Sequence, residues 1–240
     1  MPALTDGYLL DTWERSSGLG HATRAVTWAS AFTSDLTLES AYGMPIGRRD
    51  AALMEIRQKL FGSRLAATVT CPVCHEVVEF DLALSAIVPD AKPDTQDVVE
   101  VAADGWHVTA RLPTSADMRA LGPDPTAMAL LDRCAVRVAQ GDRPSSVGAL
   151  PSTVIEQVED ALAAADPAAD VALTLDCAAC GNTWDETFDI VTFLGAELDA
   201  WAKATLREVA ALGRAYGWTE QESLLLTPAR RRTYIELAAS

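Results

Sequence analysis

Residues 67–75 read Ala-Thr-Val-Thr-Cys-Pro-Val-Cys-His, and residues 173–181 read Leu-Thr-Leu-Asp-Cys-Ala-Ala-Cys-Gly. The two stretches copy each other. Each Cys-x-x-Cys pair follows a short alternating segment (Thr68 to Thr70; Val171 to Asp176) and precedes another (Val77 to Leu82; Thr183 to Ile190). Alternation on both sides of a Cys-x-x-Cys turn is the sequence form of a zinc knuckle at the tip of a β-hairpin. One knuckle supplies half of a structural site. Two of them supply four thiolates, a set that suits tetrahedral Zn²⁺. The expected metal ligands are therefore Cys71, Cys74, Cys177 and Cys180, and the expected cofactor is a structural Zn²⁺.

Other chemistries for these cysteines fit less well. A thioredoxin-like redox centre places its single Cys-x-x-Cys at the start of a helix, whereas polar, strand-like residues follow here. Cys71-Pro-Val-Cys74-His75 also matches the c-type haem attachment signature, but haem attachment requires export and the N-terminus shows no charged region followed by an apolar one. Gly181 occupies in the second copy the place of His75 in the first, a turn position that favours positive φ, so His75 reads as a turn residue and not a ligand. A catalytic zinc keeps an open coordination position, and four cysteines leave none. No His-Glu-x-x-His, phosphate-binding glycine loop or Gly-x-Ser-x-Gly is present. No catalytic residue, and no site for a small-molecule substrate, is expected.

The rest of the chain arranges itself around the two knuckles. Residues 1–62 read as helical: Leu4, Tyr8, Leu9, Leu10 and Trp13 recur at helical spacing, Ala22 to Phe32 forms a second segment, and Leu53, Ile56 and Leu60 share one face of a third that Gly62 ends. Met44 to Gly47 reads as a turn. Residues 89–95 read as a polar connection. Asp104-Gly105 between Val98–Val101 and Trp106–Leu112 is a hairpin signal. A helix capped by Thr114 or Ser115 follows, then one from Pro125 through Val138, a loop at 141–146, and a helix at 151–165. After the second knuckle comes a long amphipathic helix through Leu194, Leu198, Trp201, Val209, Leu212 and Tyr216, closed by Gly217. Thr219 and Glu222 form a capping box, and Thr227-Pro228 opens a last helix. The expected fold is α+β: a split four-cysteine zinc ribbon (63–88 plus 168–190), a β-hairpin and helical insertion (89–167), and flanking N-terminal (1–62) and C-terminal (191–240) helices. Cys134 reads as a small buried hydrophobe, Trp13, Trp28, Trp184, Trp201 and Trp218 as core, and Arg230 to Arg232 as a solvated face or an ion-pair partner.

Charge narrows the function. The 240 residues carry 34 Asp and Glu against 19 Lys and Arg, a net charge of −15. Such a chain repels phosphate backbones, so no nucleic-acid partner is expected. No apolar run approaches the ~20 residues that span a bilayer, so no membrane partner is expected either. A soluble chain in a reducing cytoplasm is the expected setting, and there paired Cys-x-x-Cys motifs favour metal over disulfide.

Several strings carry a resemblance. Gly-Met-Pro-Ile-Gly-Arg-Arg-Asp-Ala-Ala-Leu (43–53), Leu-Phe-Gly-Ser-Arg-Leu (60–65), Arg-Leu-Pro-Thr-Ser-Ala-Asp (111–117), the two knuckles, the run from Arg207 to Glu220 and Thr-Pro-Ala-Arg-Arg-Arg-Thr-Tyr (227–234) resemble the baseplate proteins related to a T-even phage hub component. These are found in contractile tails and extracellular contractile injection systems. The resemblance implies a structural or assembly role without catalysis, either as a part of the tail-like particle or as an assembly factor, with baseplate, hub or tail-tube proteins as partners. Only the four cysteines carry over as probable metal ligands. The rival reading of the knuckles is a zinc-ribbon adaptor in transcription or RNA metabolism. Nucleic-acid ribbons carry basic and aromatic residues near their tips, and these tips carry none.

Overall fold

The computed structural model describes residues 5–87, 97–123 and 125–239. Leu4 and the polar connection expected at 89–95 lie outside them. Four helices open the chain: α1 (Asp6–Ser16), α2 (His21–Phe32), α3 (Leu38–Gly43) and α4 (Ile46–Phe61). A hairpin follows, β1 (Arg64–Thr70) and β2 (Val77–Ala83). A mixed segment comes next: β3 (Val98–Ala103), β4 (Trp106–Arg111), α5 (Ser115–Leu121), α6 (Ala127–Cys134), β5 (Ala135–Gln140), β6 (Arg143–Pro144) and α7 (Ser152–Ala165). A second hairpin, β7 (Val171–Asp176) and β8 (Thr183–Phe188), leads into α8 (Ile190–Tyr216), α9 (Glu220–Leu224) and α10 (Pro228–Ala238). The chain is thus a mixture of helices and antiparallel sheet, as the sequence led one to expect.

Local chemistry accounts for most boundaries. Thr5 caps α1 by accepting from the Tyr8 N–H at 3.3 Å, and Asp189 caps α8 by accepting from the Val191 N–H at 2.9 Å. The Thr219/Glu222 capping box forms as expected. Gly217 ends the 27-residue α8 in the left-handed region at φ 71°, which a residue with a Cβ enters only at a cost. Three boundaries differ from the sequence reading. The helix expected to run through Val138 stops at Cys134, and Ala135–Gln140 is a strand paired with β4. The loop expected at 141–146 contains the two-residue strand β6, which pairs with β5. The turn expected at 44–47 is already helical from Ile46, after a short helix α3 that was not anticipated.

Two apolar cores result. In the first, Trp28 and Phe32 from α2, Leu53 and Met54 from α4, and Leu194 and Leu198 from α8 close over Leu65 of β1 and Leu173 and Leu175 of β7. In the second, Trp106, Val108 and Ala110 project from alternate positions of β4, as a strand's period of two requires, and meet Val154 and Val158 of α7. The strands run in the order β3-β4-β5-β6, and on the opposite face of this sheet His107 and Arg137 lie exposed.

The two cores are joined by polar contacts. The Ile46 N–H donates to the Pro113 carbonyl at 3.0 Å, and Pro45 bridges to Thr114. The Gly47 N–H donates to Asp166 Oδ2 at 2.8 Å. Arg49, 3 % exposed, clasps the Asp50 carboxylate through two hydrogen bonds of 2.7 and 2.9 Å and donates to Ser115 Oγ at 2.8 Å. Burial pushes the Asp50 carboxyl up to about 6 despite that guanidinium. Asp117 accepts from Arg111 at 2.6 and 2.7 Å, from Arg133 at 3.2 Å and from Thr114. Burial opposes its charge, yet these donors hold its carboxyl well below the usual carboxylate range. The strings 43–53 and 111–117 are thus two sides of one contact.

Gly47 has no room for a side chain: a Cβ there would lie 2.1 Å from Asp166 Oδ1 and 2.7 Å from the Ala169 nitrogen. Gly47→Ala is expected to destabilise the fold by about 2 kcal/mol or more, the scale of an overpacked contact, as measured by urea denaturation. Asp117 tests the polar seam by its pH dependence. Its folded pKa is depressed, so its contribution is complete above the unfolded carboxylate range near ~4 and is lost as pH falls through the folded value. Asp117→Asn should therefore cost about 3 kcal/mol at pH 7, and the gap from the native chain should narrow at pH 3. An equal gap at both pH values would show that charge is not what Asp117 contributes.

Candidate metal centre

The two hairpins end in loops of the same construction. In the first, the Cys71 N–H donates to the Glu76 carbonyl at 2.9 Å and the His75 N–H to the Cys71 carbonyl at 3.0 Å. In the second, the Cys177 N–H donates to the Asn182 carbonyl and the Gly181 N–H to the Cys177 carbonyl, both at 2.8 Å. The turn closes through a left-handed residue, His75 at φ 62° in one loop and Gly181 at φ 74° in the other. His75 therefore takes the turn position expected of it. It has no place in the sulfur cluster. Registers Thr70↔Val77 and Asp176↔Thr183 bring each loop to the same point at the end of its ladder.

The first core sets the two tips against each other. Leu65 of β1 and Leu173 and Leu175 of β7 are buried in it together, so the hairpins share one apolar floor. Cys71 Sγ lies 3.7 Å from Cys180 Sγ, and Cys74 Sγ lies 3.6 Å from Cys177 Sγ. All four sulfurs fall within 4.8 Å of one another. These separations are far above a disulfide bond length of ~2.05 Å. Four sulfurs at ~2.3 Å around one tetrahedral ion would stand ~3.8 Å apart, close to the two cross-loop distances. Cys71 and Cys177 are buried, and Cys74 and Cys180 are exposed. The four cysteines singled out in the sequence are brought together, and the donor set is the size and hardness of a closed thiolate site.

Electrostatics point the same way. The backbone N–H of Cys74, with that of Val73, draws the Cys71 thiol down to about 6 against the opposing effect of burial. For Cys74 the Glu76 N–H favours the thiolate, but the neighbouring sulfurs of Cys180, Cys177 and Cys71 outweigh it and push the thiol up to about 12. The thiolate of Cys71 is favoured and that of Cys74 is resisted. A divalent cation at the centre removes that resistance, because a coordinating thiol is deprotonated outright.

Cys134 is buried at the end of α6, away from this cluster. Burial pushes its thiol up to about 11, as befits the small hydrophobe it was expected to be. Trp184 is half-buried against the first core, and its Nε1 donates to Glu186 at 3.1 Å. Trp218 departs from the core reading: it stacks on Tyr216 at 4.8 Å between ring centroids and meets Tyr234 edge-on at 5.0 Å. Two buried arginines, Arg49 and Arg57, carry no signal in the sequence. Arg57 of α4 forks onto Glu197 of α8 at 2.8 and 2.7 Å, also donating to the Gly62 carbonyl at 2.8 Å. Arg231 pairs with Asp6 at 2.7 Å and Glu208 at 2.8 Å. The Arg230–Arg232 cluster had been read as a solvated face or an ion-pair partner, and its middle residue is the latter.

Residues 28–195 match the model of a protein family described as T4 bacteriophage base plate protein. That span holds both hairpins, the second core and the polar seam. No curated protein and no solved structure matches the chain.

Proposed function

Because the chain belongs to the T4 bacteriophage base plate protein family, we propose that it is a non-catalytic structural or assembly protein of the baseplate or hub of a contractile tail or contractile injection system. The family match over residues 28–195 carries this reading. Its partners are other baseplate, hub or tail-tube proteins. Assembly takes place in the bacterial cytoplasm. The net charge of −15 argues against nucleic acid as a partner.

In this reading one structural Zn²⁺ joins Cys71, Cys74, Cys177 and Cys180. When bound, it supplies a cross-link between two hairpins and no chemistry on a substrate. The residues 63–88 and 168–190 then form one split zinc ribbon, with 89–167 as its insertion. The sulfur separations of 3.6 and 3.7 Å support this. The protein's part is to set the loops at the right separation, to hold Cys71 and Cys177 out of water and to aim backbone N–H groups at the sulfurs.

The purified chain should carry one zinc per molecule by elemental analysis. Cys71→Ser and Cys177→Ser should each abolish stoichiometric zinc. Each should lower Tm by about 10 °C or more, given ~2–4 °C per kcal/mol for a chain of this size and about 4–5 kcal/mol for releasing a closed loop of this length. Unchanged zinc content and Tm in both variants would remove the metal reading. The baseplate reading is tested separately. Deleting the gene should leave cells without complete contractile tails, and the tagged protein should copurify with tail-tube or hub proteins. Normal tails from the deletion strain would overturn it whatever the zinc content.

A further inference from the structure

The charge of this chain is unevenly placed. Residues 200–239 contain six cations (Lys203, Arg207, Arg214, Arg230, Arg231 and Arg232) against four glutamates, which leaves 13 cations and 30 carboxylates for the rest of the 19 and 34. An acidic body therefore ends in a slightly basic helical unit made of the second half of α8 with α9 and α10. Within it Lys203 is neutralised by Asp199, and Arg231 by Asp6 and Glu208, so the exposed surplus rests on Arg230 and its neighbours.

The same unit presents an apolar groove. Ala229, Arg230, Thr233, Tyr234 and Leu237 of α10 line a shallow depression of about 330 Å³. Leu237 is 63 % exposed, on an 11-residue helix whose only buried side chain is Arg231. The wall of the groove is rigid. The Tyr234 ring packs edge-on against Trp218 and Tyr216, and the Tyr216 hydroxyl donates to the Tyr234 carbonyl at 2.9 Å. Arg231 locks the helix from beneath through Asp6 and Glu208. Above it, the Arg230 guanidinium makes no hydrogen bond or ion pair with any described residue.

We propose that this groove receives an acidic amphipathic helix of another protein. Ala229, Thr233 and Leu237 recur every fourth residue and so form one row along α10. The two small residues allow a second helix to approach closely, while Leu237 and Tyr234 give it an apolar seat. Arg230 at the edge offers a guanidinium to a carboxylate. A second copy of this unit is a poor occupant, because a two-fold contact would set its cationic excess against itself. The groove lies beyond residues 28–195, so the argument for it stands on these side chains alone.

The test places a photo-reactive benzophenone side chain at position 237 of the chain, with a control at the equally exposed Val136, in cells assembling tails. Irradiation should link position 237 to a segment of a different protein, and mass spectrometry should show apolar residues at helical spacing and a net negative charge in that segment. Arg230→Glu combined with Arg232→Glu should lower the yield at least tenfold without changing the circular dichroism spectrum. Thr233→Arg, which fills the groove, should do the same. A neutral or basic target, a link to another copy of this chain, no link at 237, or a yield unaffected by charge reversal would each overturn the proposal. Cosedimentation of the chain with tails, scored in the same samples, reports on the baseplate role independently of the link.

Discussion

The structure depends on one long-range meeting: the tips of two β-hairpins, far apart in the chain, set four sulfurs within 4.8 Å of one another. Each hairpin alone has two strands, and an isolated two-stranded ribbon is marginal in water. The pair becomes stable because Leu65, Leu173 and Leu175 are buried under α2, α4 and α8. Bringing the two tips together closes a long loop, at a cost of about 4–5 kcal/mol in chain entropy, so a link at the tips and the apolar floor beneath them reinforce each other. The intervening segment can then fold around its own core of Trp106, Val108, Val154 and Val158.

The two cores meet through charge and backbone. Arg49, Asp50 and Ser115 form a buried polar knot, and Asp117 gathers Arg111, Arg133 and Thr114 a few residues away. Removing one member of such a knot leaves an uncompensated charge, which costs more than the intact pair contributes. Its value here is positional. Planar guanidinium groups accept few geometries, so the knot fixes the orientation in which α4 meets the 111–117 segment. Arg57 on Glu197 does the same between α4 and α8, and Arg231 does so between α10, α1 and α8.

Much of this was legible in the sequence, for reasons that differ by residue. The cysteines stood out because the motif is duplicated and flanked by alternation on both sides. Caps at Thr219 and Gly217 were readable because their chemistry is local. The end of α6 differs from the sequence reading because Leu130, Cys134 and Val138 keep a helical spacing, while the strand Ala135–Gln140 does not alternate: Val138 and Ala139 are both buried. Pairing with β4 decides between the two, and no local signal reports that pairing. The helix α3 is too short to show a period. The burial of Arg49 and Arg57 was invisible because arginine is ordinarily a surface residue, and the partner of Arg57 lies 140 positions away. The strings 43–53 and 111–117 were noticed as strings, yet nothing in either one announces that it touches the other.

The split placement of the sulfurs also imposes an order on biosynthesis. Cys71 and Cys74 leave the ribosome well before Cys177 and Cys180, an interval of about 5–20 seconds at ordinary translation speeds of ~5–20 residues per second. During that wait the nascent chain displays a half-complete pair of thiols on a hairpin whose apolar floor is still missing α8. The helix that seals the first hairpin, α8, is therefore made only after the second hairpin, and maturation of this protein is gated by its own C-terminal third.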